Sequence, residues 1–265
     1  MNKIIKAIND IKEGKMVIVV DHEDRENEGD FVISAEKATP DDINFMMKYG
    51  RGLVCMPITQ ECAARLELTP MVPNNNNTAL YETNFTISVD AVNNATTGIS
   101  SNDRWETVQV ILDDKSKPSD LGRPGHMFPL TAKEGGVLQR AGHTEASIDL
   151  AKLAGLKPAA LLVEIVDEDG TMARGKRLTD IAEEHDLTLI SIADVIEYRR
   201  KNEKLIDELS AIPMPNKYGN FVLKLFEDKI HGDHHVALIL GDIIEEENTL
   251  VRVHSQCLTG DIFGS

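Results

Sequence analysis

The amino-acid sequence predicts a layered α/β domain followed by a small strand-rich segment. Over residues 1–202, apolar runs of strand length alternate with stretches whose apolar residues recur at helical spacing. Interleaving of this kind favours helices packed on a sheet over separate helical and β blocks. Residues 216–265 carry three short apolar runs, which are too few to bury an independent core.

Charge and composition exclude several classes of protein. The 265 residues include 44 acidic and 28 basic side chains, a net charge of −16, so we expect no nucleic-acid surface. No apolar run approaches the length of a membrane span. The three cysteines, Cys55, Cys62 and Cys257, and a start that does not read as a signal peptide predict a reducing, cytoplasmic location without disulfides.

The first half of the chain has clear start and stop signals. Ile4, Ile8 and Ile11 lie on one face of a predicted first helix that ends at Gly14. Thr39 followed by Pro40 predicts a helix N-terminus. In order, we expect strands at 16–20 and 31–34, a helix at 39–49, a strand at 53–56, a helix at 59–66, a loop at 70–80, a strand at 85–89 and a helix from Ser100 or Ser101 to 112.

The second half begins with residues 113–136, which are rich in Gly, Pro and charge and read as a long functional loop. Thr144 is the expected N-cap of a helix that ends at Gly155. The remaining expected elements are a strand at 159–166, helices at 178–185 and 192–201, a strand at 187–191, a linker at 203–215, and strands at 221–226, 236–240 and 250–253.

An acidic stretch, residues 21–30, follows the first strand. Six of its ten residues carry carboxylates, and the other four include Arg25 and His22. It is either a solvated loop or a divalent-cation site held by a rigid strand. Counting from Asp24, the residue at the twelfth position of a calcium-binding EF-hand loop would be Ala35 where a glutamate is needed, so we reject that motif.

A second candidate site is the run from Arg140 to Thr144. Gly142 permits close backbone approach, the following helix offers free N–H groups, and Arg140 adds a full charge, which together suit a phosphate. The ring of His143 can project into the same space. The alternative is an ordinary capped helix with an incidental histidine.

Two further side chains stand out. Glu164 lies within an apolar strand, residues 161–166, and belongs either to a solvated edge strand or to a functional site. His126 lies in a loop bounded by Gly and Pro beside Arg123, where a histidine is usually only solvated. Adjacent His234 and His235 are interpreted as surface residues.

Several of these segments, taken in order, resemble the 3,4-dihydroxy-2-butanone 4-phosphate synthase family. The resemblance covers about residues 1–202. It implies a three-layer α/β/α arrangement around a mixed β-sheet and a homodimer with sites near the subunit interface. The matching segments are residues 21–30 with the core Asp-Arg-Glu-Asn-Glu-Gly-Asp, 96–100 with Thr-Thr-Gly-Ile-Ser, 123–126 with Arg-Pro-Gly-His, 135–137 with Gly-Gly-Val, and 140–146 with Arg-Ala-Gly-His-Thr-Glu-Ala.

The resemblance implies a lyase of riboflavin biosynthesis. It would convert D-ribulose 5-phosphate to L-3,4-dihydroxy-2-butanone 4-phosphate and formate, with Mg²⁺ or Mn²⁺ stabilising substrate oxyanions. By matching motifs, Glu26 and His143 would bind the metal, and Glu164 and His126 would be catalytic. The implied substrate-binding residues are Arg25, Glu26, Asp30, Arg140, Ala141, Gly142, His143, Thr144 and Glu164.

Residues 216–265 resemble a different family, GTP cyclohydrolase II, of which they would form an incomplete part. Residues 251–261 resemble its zinc-binding region, with Cys257 at the first ligand position and no Cys-x-Cys pair after it. We therefore expect neither zinc nor cyclohydrolase activity. Two alternatives to the lyase remain: a non-catalytic protein that binds metal or sugar phosphate, and a partner subunit that associates with a separate cyclohydrolase through residues 216–265.

Overall fold

The computed structural model describes residues 2–243 and 248–265. The chain divides into two compact units, Met1–Lys204 and Leu205–Ser265. The α-helices are α1 Asn2–Lys12, α2 Pro40–Phe45, α3 Gln60–Arg65, α4 Ser101–Leu112, α5 His143–Leu153, α6 Lys176–Glu184 and α7 Ile192–Asn202. The strands are β1 Val17–Val20, β2 Gly29–Ser34, β3 Cys55–Ile58, β4 Val89–Ala91, β5 Leu121–Thr131, β6 Ala160–Glu164, β7 Thr188–Ser191, β8 Ile206–Asn216, β9 Gly219–Asp228 and β10 His234–Leu240.

The N-terminal unit is built on one mixed sheet of seven strands. Its order is β4-β5-β3-β6-β2-β1-β7. Strands β1 and β7 pair in parallel, as do β3 and β5, whereas β2 pairs antiparallel with both β1 and β6. This arrangement confirms the α/β class with a mixed sheet.

Helices cover both faces of this sheet. Alternate residues of the strands point to opposite faces, so that Ile18 and Phe31 join one apolar core while Val17 and Val32 join another. The first core includes side chains of α2, α4 and α6, and the second includes side chains of α1, α5 and α7. The resulting three layers are those that the resemblance implied.

The helix starts follow from local chemistry. Thr39 forms a capping box with Asp42, and Ser191 forms one with Asp194. The Ser100 side chain accepts from the backbone N–H of Asp103. Each cap satisfies an N–H that the first helical turn cannot pair internally. The predicted starts at Thr39 and Ser100 are confirmed.

Two of the predictions for the N-terminal unit that concern the site are wrong in detail. Residues 121–131, expected as part of a structureless loop, form β5, which pairs with both β3 and β4. Gly and Pro in this strand concealed it, because both residues are typical of turns. Helix α5 begins at His143 after Gly142, not after Thr144, so Thr144 lies within the first turn.

The C-terminal unit contains a three-stranded antiparallel sheet of order β10-β9-β8. Residues 206–216, mostly expected as a linker, form β8 because they pair with β9, with one register shift between Glu208 and Ser210. The expected strand at 250–253 does not form. Large apolar side chains of this sheet are exposed, including Ile212, Val236 and Leu240.

None of the helices within residues 2–243 and 248–265 is both long and apolar enough to span a membrane.

Candidate active site

Three strands bring functional side chains to one end of the large sheet. The acidic stretch connects the end of β1 to the start of β2, where Asp30 pairs directly with Glu164 at the end of β6. Strand β3 runs antiparallel to β6, so residues just before it, such as Leu53, reach the same end. The site is therefore assembled from segments far apart in sequence but adjacent in the sheet.

Asp21 gives the acidic stretch its shape. Its Oδ2 accepts the backbone N–H of Glu26 at 2.9 Å, and its Oδ1 accepts the N–H of Glu28 at 2.9 Å. Arg25 donates through Nη1 to Asp21 at 2.9 Å and to Glu26 at 2.6 Å. The stretch is an ordered turn around one buried carboxylate, which rules out a freely solvated acidic loop.

His143, at the first position of α5, faces this turn. Its Nδ1 lies 3.6 Å from Oε2 of Glu26 and 3.9 Å from Oδ2 of Asp30. Ligand atoms of Asp21, Glu26 and His143 all lie within 4.8 Å of one another. One imidazole and several carboxylate oxygens at this spacing suit a divalent cation.

The charges of these groups influence one another strongly. Burial raises the pKa of Asp30 to about 7, and repulsion from Glu164 and Glu26 adds to that effect. Burial alone would lower the pKa of His143, but the carboxylates of Asp30, Glu26 and Asp21 raise it to about 9. The nearby His143 ring lowers the pKa of Glu26.

Two buried atoms in this cluster lack a hydrogen-bond partner among the described residues. They are Oδ1 of Asp30 and Nε2 of His143. Buried polar atoms are nearly always paired, and leaving one unpaired costs about 1–3 kcal/mol. The donor set and these unpaired atoms fit a bound divalent cation or substrate.

Glu164 lies beside this cluster, paired with Asp30 in the sheet. Its Oε2 accepts the backbone N–H of Leu53 at 2.8 Å. Strand β6 lies between β3 and β2 in the middle of the sheet, so the edge-strand interpretation of Glu164 is wrong. The carboxylate stands at the C-terminal end of a central strand and only part of it is exposed.

Arg140 uses most of its donors within the protein. Its Nε and Nη2 donate to the carbonyl of Tyr81 at 3.1 and 2.9 Å, Nη2 also donates to Oγ1 of Thr83 at 3.0 Å, and Nη1 donates to Glu145 at 2.6 Å. An arginine has five N–H donors. One Nη1 hydrogen has no acceptor among residues 2–243 and 248–265.

The other residues of that run surround the start of α5. Gly142 and Thr144 are buried, whereas Ala141 is exposed. A Cβ at Gly142 would lie 2.3 Å from Nη1 of Arg140, so glycine is what lets the backbone approach the guanidinium. The first turn of α5 and the Arg140 guanidinium are therefore close together, and their use as a phosphate site stays a prediction.

His126 lies on β5 and is paired with Asp90 of β4. Its Nδ1 is 2.6 Å from Oδ2 of Asp90, and its backbone N–H donates to Oδ1 at 2.7 Å. Residues 55 and 128 are partners in the parallel β3–β5 ladder. His126 lies two residues before Phe128 on β5, and Leu53, whose N–H binds Glu164, lies two residues before Cys55, the first residue of β3.

Three residues that shape the site were not singled out from the sequence. Asp21 lay among other acids, and no pattern distinguished it. Asp90 directly follows the predicted strand 85–89, so its position as a carboxylate at a strand end was the available signal. Tyr81 directly follows the expected loop 70–80, and its hydroxyl donates to the carbonyl of Arg25 while its ring lies 4.8 Å from the Arg25 guanidinium.

Comparison with protein families assigns both parts of the chain. Residues 5–198 match the family 3,4-dihydroxy-2-butanone 4-phosphate synthase, and residues 207–265 match GTP cyclohydrolase II. Among curated proteins, the riboflavin biosynthesis protein RibBA of Parabacteroides distasonis is 54% identical over the whole chain. The chain spans 65% of that relative's length.

Solved structures agree with this assignment. RibBX of A. baumannii, a two-domain 3,4-dihydroxy-2-butanone 4-phosphate synthase, is 45% identical and superimposes with a TM-score of 0.81, covering 90% of this chain and 70% of its own. A 3,4-dihydroxy-2-butanone 4-phosphate synthase in complex with two magnesium ions is 38% identical with a TM-score of 0.72. That match covers 75% of this chain and 97% of the magnesium-bound protein.

Proposed function

The chain belongs to the 3,4-dihydroxy-2-butanone 4-phosphate synthase family, and we propose that it converts D-ribulose 5-phosphate to L-3,4-dihydroxy-2-butanone 4-phosphate and formate. The product would enter riboflavin biosynthesis, the process named for its curated relatives. The observation that carries this proposal is the approach of Glu26, Asp30 and His143 to one another beside Glu164. These carboxylates and this imidazole match the residues that the family resemblance assigned to the reaction.

The divalent cation would be held by Glu26 and His143, with Asp21 near enough to contribute. We propose Mg²⁺, with Mn²⁺ as the alternative, because few protein ligands leave room for water and substrate oxygens. When bound, the cation supplies positive charge that stabilises negative charge developing on substrate oxygens. A magnesium-bound synthase of the same fold supports this choice.

Acid–base work falls to Glu164 and His126. Removal of a proton next to the substrate ketone and its later return both need a positioned acid or base. The Leu53 N–H holds the Glu164 carboxylate in one orientation at 2.8 Å, which is the positioning that proton transfer requires. His126 precedes Phe128, and Phe128 pairs with the first residue of β3, Cys55; the residue that binds Glu164, Leu53, also precedes Cys55, so both groups belong to the same end of the sheet.

Substrate binding is proposed for the residues around the start of α5 and the acidic stretch. The first turn of α5, with Thr144, offers N–H groups and a positive dipole end to a phosphate. Arg140 can add its remaining Nη1 hydrogen. Arg25 interacts with protein carboxylates through Nη1, so its other guanidinium nitrogens are the ones proposed for substrate.

The remaining proposals concern assembly and location. We propose a homodimer, supported by exposed apolar side chains next to the site, Leu53 and Ile99. Association with a cyclohydrolase would use the exposed apolar side chains of the C-terminal sheet. A cytoplasmic location, and the absence of zinc and of cyclohydrolase activity, stay predictions.

The direct test is to incubate the full chain with ribulose 5-phosphate and Mg²⁺ and to measure formate. We expect formate in proportion to the ribulose 5-phosphate consumed and none when EDTA is added. A correctly folded protein that binds both ligands but releases no formate would instead support the non-catalytic binding protein.

Matched variants locate the site. Glu26→Gln and His143→Ala should each abolish formate release and weaken Mg²⁺ binding measured by calorimetry. Glu23→Gln changes a carboxylate of the same stretch that is exposed, and it should leave both measurements near the wild-type values. Full activity in Glu26→Gln or His143→Ala would remove the corresponding residue from the metal site.

A further inference from the structure

A single carboxylate holds His126 at two points. Oδ1 of Asp90 accepts the backbone N–H of His126 at 2.7 Å, and Oδ2 lies 2.6 Å from the ring Nδ1. The two residues are on the paired strands β4 and β5. Because one oxygen of Asp90 contacts the His126 backbone and the other contacts the His126 ring, the carboxylate fixes the orientation of the ring relative to the backbone of His126.

This contact determines where the ring carries its proton. An ionised carboxylate only accepts hydrogen bonds, so Nδ1 must be the protonated nitrogen when the ring is neutral. Nε2 then has a free lone pair. Within residues 2–243 and 248–265 no protein atom hydrogen-bonds to Nε2, and 45% of the side chain is exposed. The ring therefore offers a proton acceptor to a small molecule.

The surroundings of the pair are built to fit it. A Cβ at Gly98 would lie 2.0 Å from Oδ2 of Asp90 and 2.6 Å from Nδ1 of His126, and the backbone there has φ +88°. Only glycine fits both the space and the conformation. Asp103 holds this loop by accepting from Thr96 N, Thr96 Oγ1 and Gly98 N.

A further contact supports the backbone of the histidine. Nη1 of the buried Arg104 donates to the carbonyl of His126 at 2.5 Å. Strands β4 and β5, helix α4 and the loop carrying Gly98 thus all contact the pair. An incidental ion pair on the surface would have no such packing and would contribute little to the stability of the fold.

We propose that Asp90 is a positioning residue that orients His126 and holds it in the tautomer with a free Nε2. The inference rests on the proposed role of His126 as an acid–base group. In that role Nε2 takes one proton from the substrate and later returns it. While the ring is positively charged, the Asp90 carboxylate beside Nδ1 stabilises it.

The informative substitution is Asp90→Asn, which keeps the size of the side chain and removes its charge. The amide oxygen can still accept the His126 backbone N–H, but the amide nitrogen then faces the ring as a donor. Nδ1 must then accept a hydrogen bond from the amide nitrogen, so the ring proton moves to Nε2. Nε2 can no longer accept a proton from the substrate. We expect kcat to fall by roughly 10²–10⁴-fold, with KM changed by no more than about threefold.

The test combines kinetics with ¹⁵N NMR of the histidine rings in the full chain. Formate release from ribulose 5-phosphate with Mg²⁺ gives kcat and KM. The His126 ring signals, assigned by their loss in His126→Ala, should show the proton on Nδ1 in the wild type and on Nε2 in Asp90→Asn. Asp90→Glu keeps a carboxylate at this position, so its kcat should be at least about tenfold higher than that of Asp90→Asn. Asp114→Asn removes an exposed carboxylate paired with Lys157 and should change nothing.

Two results would overturn the inference. One is a wild-type His126 ring protonated on Nε2, which needs no variant and stands even if Asp90→Asn fails to fold. The other is a folded Asp90→Asn protein with kcat within about threefold of the wild type. Absence of formate from the wild type would refute the proposed function instead, and the ring signals would still decide how Asp90 orients His126.

Discussion

Gly52 lies directly against the carboxylate of Glu164. A Cβ at position 52 would stand 2.5 Å from Oε2 and 2.6 Å from the backbone oxygen of Glu164. Gly52→Ala must therefore displace the end of β6, and we expect formate release to fall by roughly 10²-fold, because small misplacements of a reacting group are costly. Steady-state kinetics measure the loss. Gly260→Ala, where the added Cβ would make only ordinary contacts, is the control, and equal rates in both variants would contradict the role of Glu164.

Bound cation should stabilise the fold. The carboxylates of Asp21, Glu26 and Asp30 gather around His143, and a ligand that binds only the folded state adds about 2.7 kcal/mol at 100 times its Kd. We expect Mg²⁺ to raise the thermal unfolding midpoint by about 5 °C or more at that concentration. Differential scanning fluorimetry with sodium chloride of equal ionic strength is the control. The same rise in Glu26→Gln would show that the cation binds elsewhere.

A buried ion pair connects α5 to α7. Arg199 donates through Nη1 to Oδ2 of Asp149 at 2.8 Å, and the backbone N–H of Val137 donates to the same carboxylate oxygen. Arg199→Met leaves Asp149 charged, buried and short of a partner, so the free energy of unfolding should fall by about 3 kcal/mol. Urea unfolding followed by circular dichroism measures the change. Arg200→Met, at an exposed neighbouring position, should stay within about 0.5 kcal/mol of the wild type.

Asp103 makes the stability of the fold depend on pH. Hydrogen bonds from the backbone and hydroxyl of Thr96, with help from Gly98 and Ser100, lower its pKa to about 2 from an ordinary value of 3.8. A carboxyl whose pKa is lower in the folded state stabilises the protein above the ordinary value, and that contribution is lost as the pH falls towards 2. Asp103→Asn should therefore be less stable than the wild type at pH 7, with the difference shrinking between pH 4 and pH 2.

Urea unfolding at pH 7, 4 and 3 measures this dependence. Asp41→Asn, an exposed carboxyl in the first turn of α2, is the matched control and should show little dependence of its difference from the wild type on pH. A constant gap between Asp103→Asn and the wild type at all three pH values would contradict the explanation.

The sequence was most informative where a local rule decides the structure. Caps at Thr39 and Ser100 marked helix starts, and the charge density of residues 21–30 marked the acidic turn. The sequence was least informative where an element forms because it pairs with a strand distant in sequence. Strand β5 contains Gly and Pro and exists because β3 and β4 flank it, and residues 206–216 form a strand because β9 pairs with them.

The same distinction applies to the site. Glu26, Asp30 and His143 could be proposed from their motifs, and the structure brings them together. Whether Glu164 lay on an edge or a central strand depended on the strand order, which periodicity does not give. Asp21 was one acid among several in its stretch, and its backbone contacts with Glu26 and Glu28 appear only in the folded turn. Asp90 was marked only by its place at the end of a predicted strand, because its partner His126 is 36 residues away.

Arg140 ties residues 81–83 to the start of α5, and this connection makes two processes interdependent. Its donors are shared among the Tyr81 carbonyl, the Thr83 hydroxyl and Glu145. Every N–H that turns from Tyr81 or Thr83 to a substrate oxygen releases a bond that orders the segment. If Arg140 binds substrate as proposed, substrate binding and the order of residues 81–83 are thermodynamically linked, and each changes the equilibrium constant of the other by the same factor.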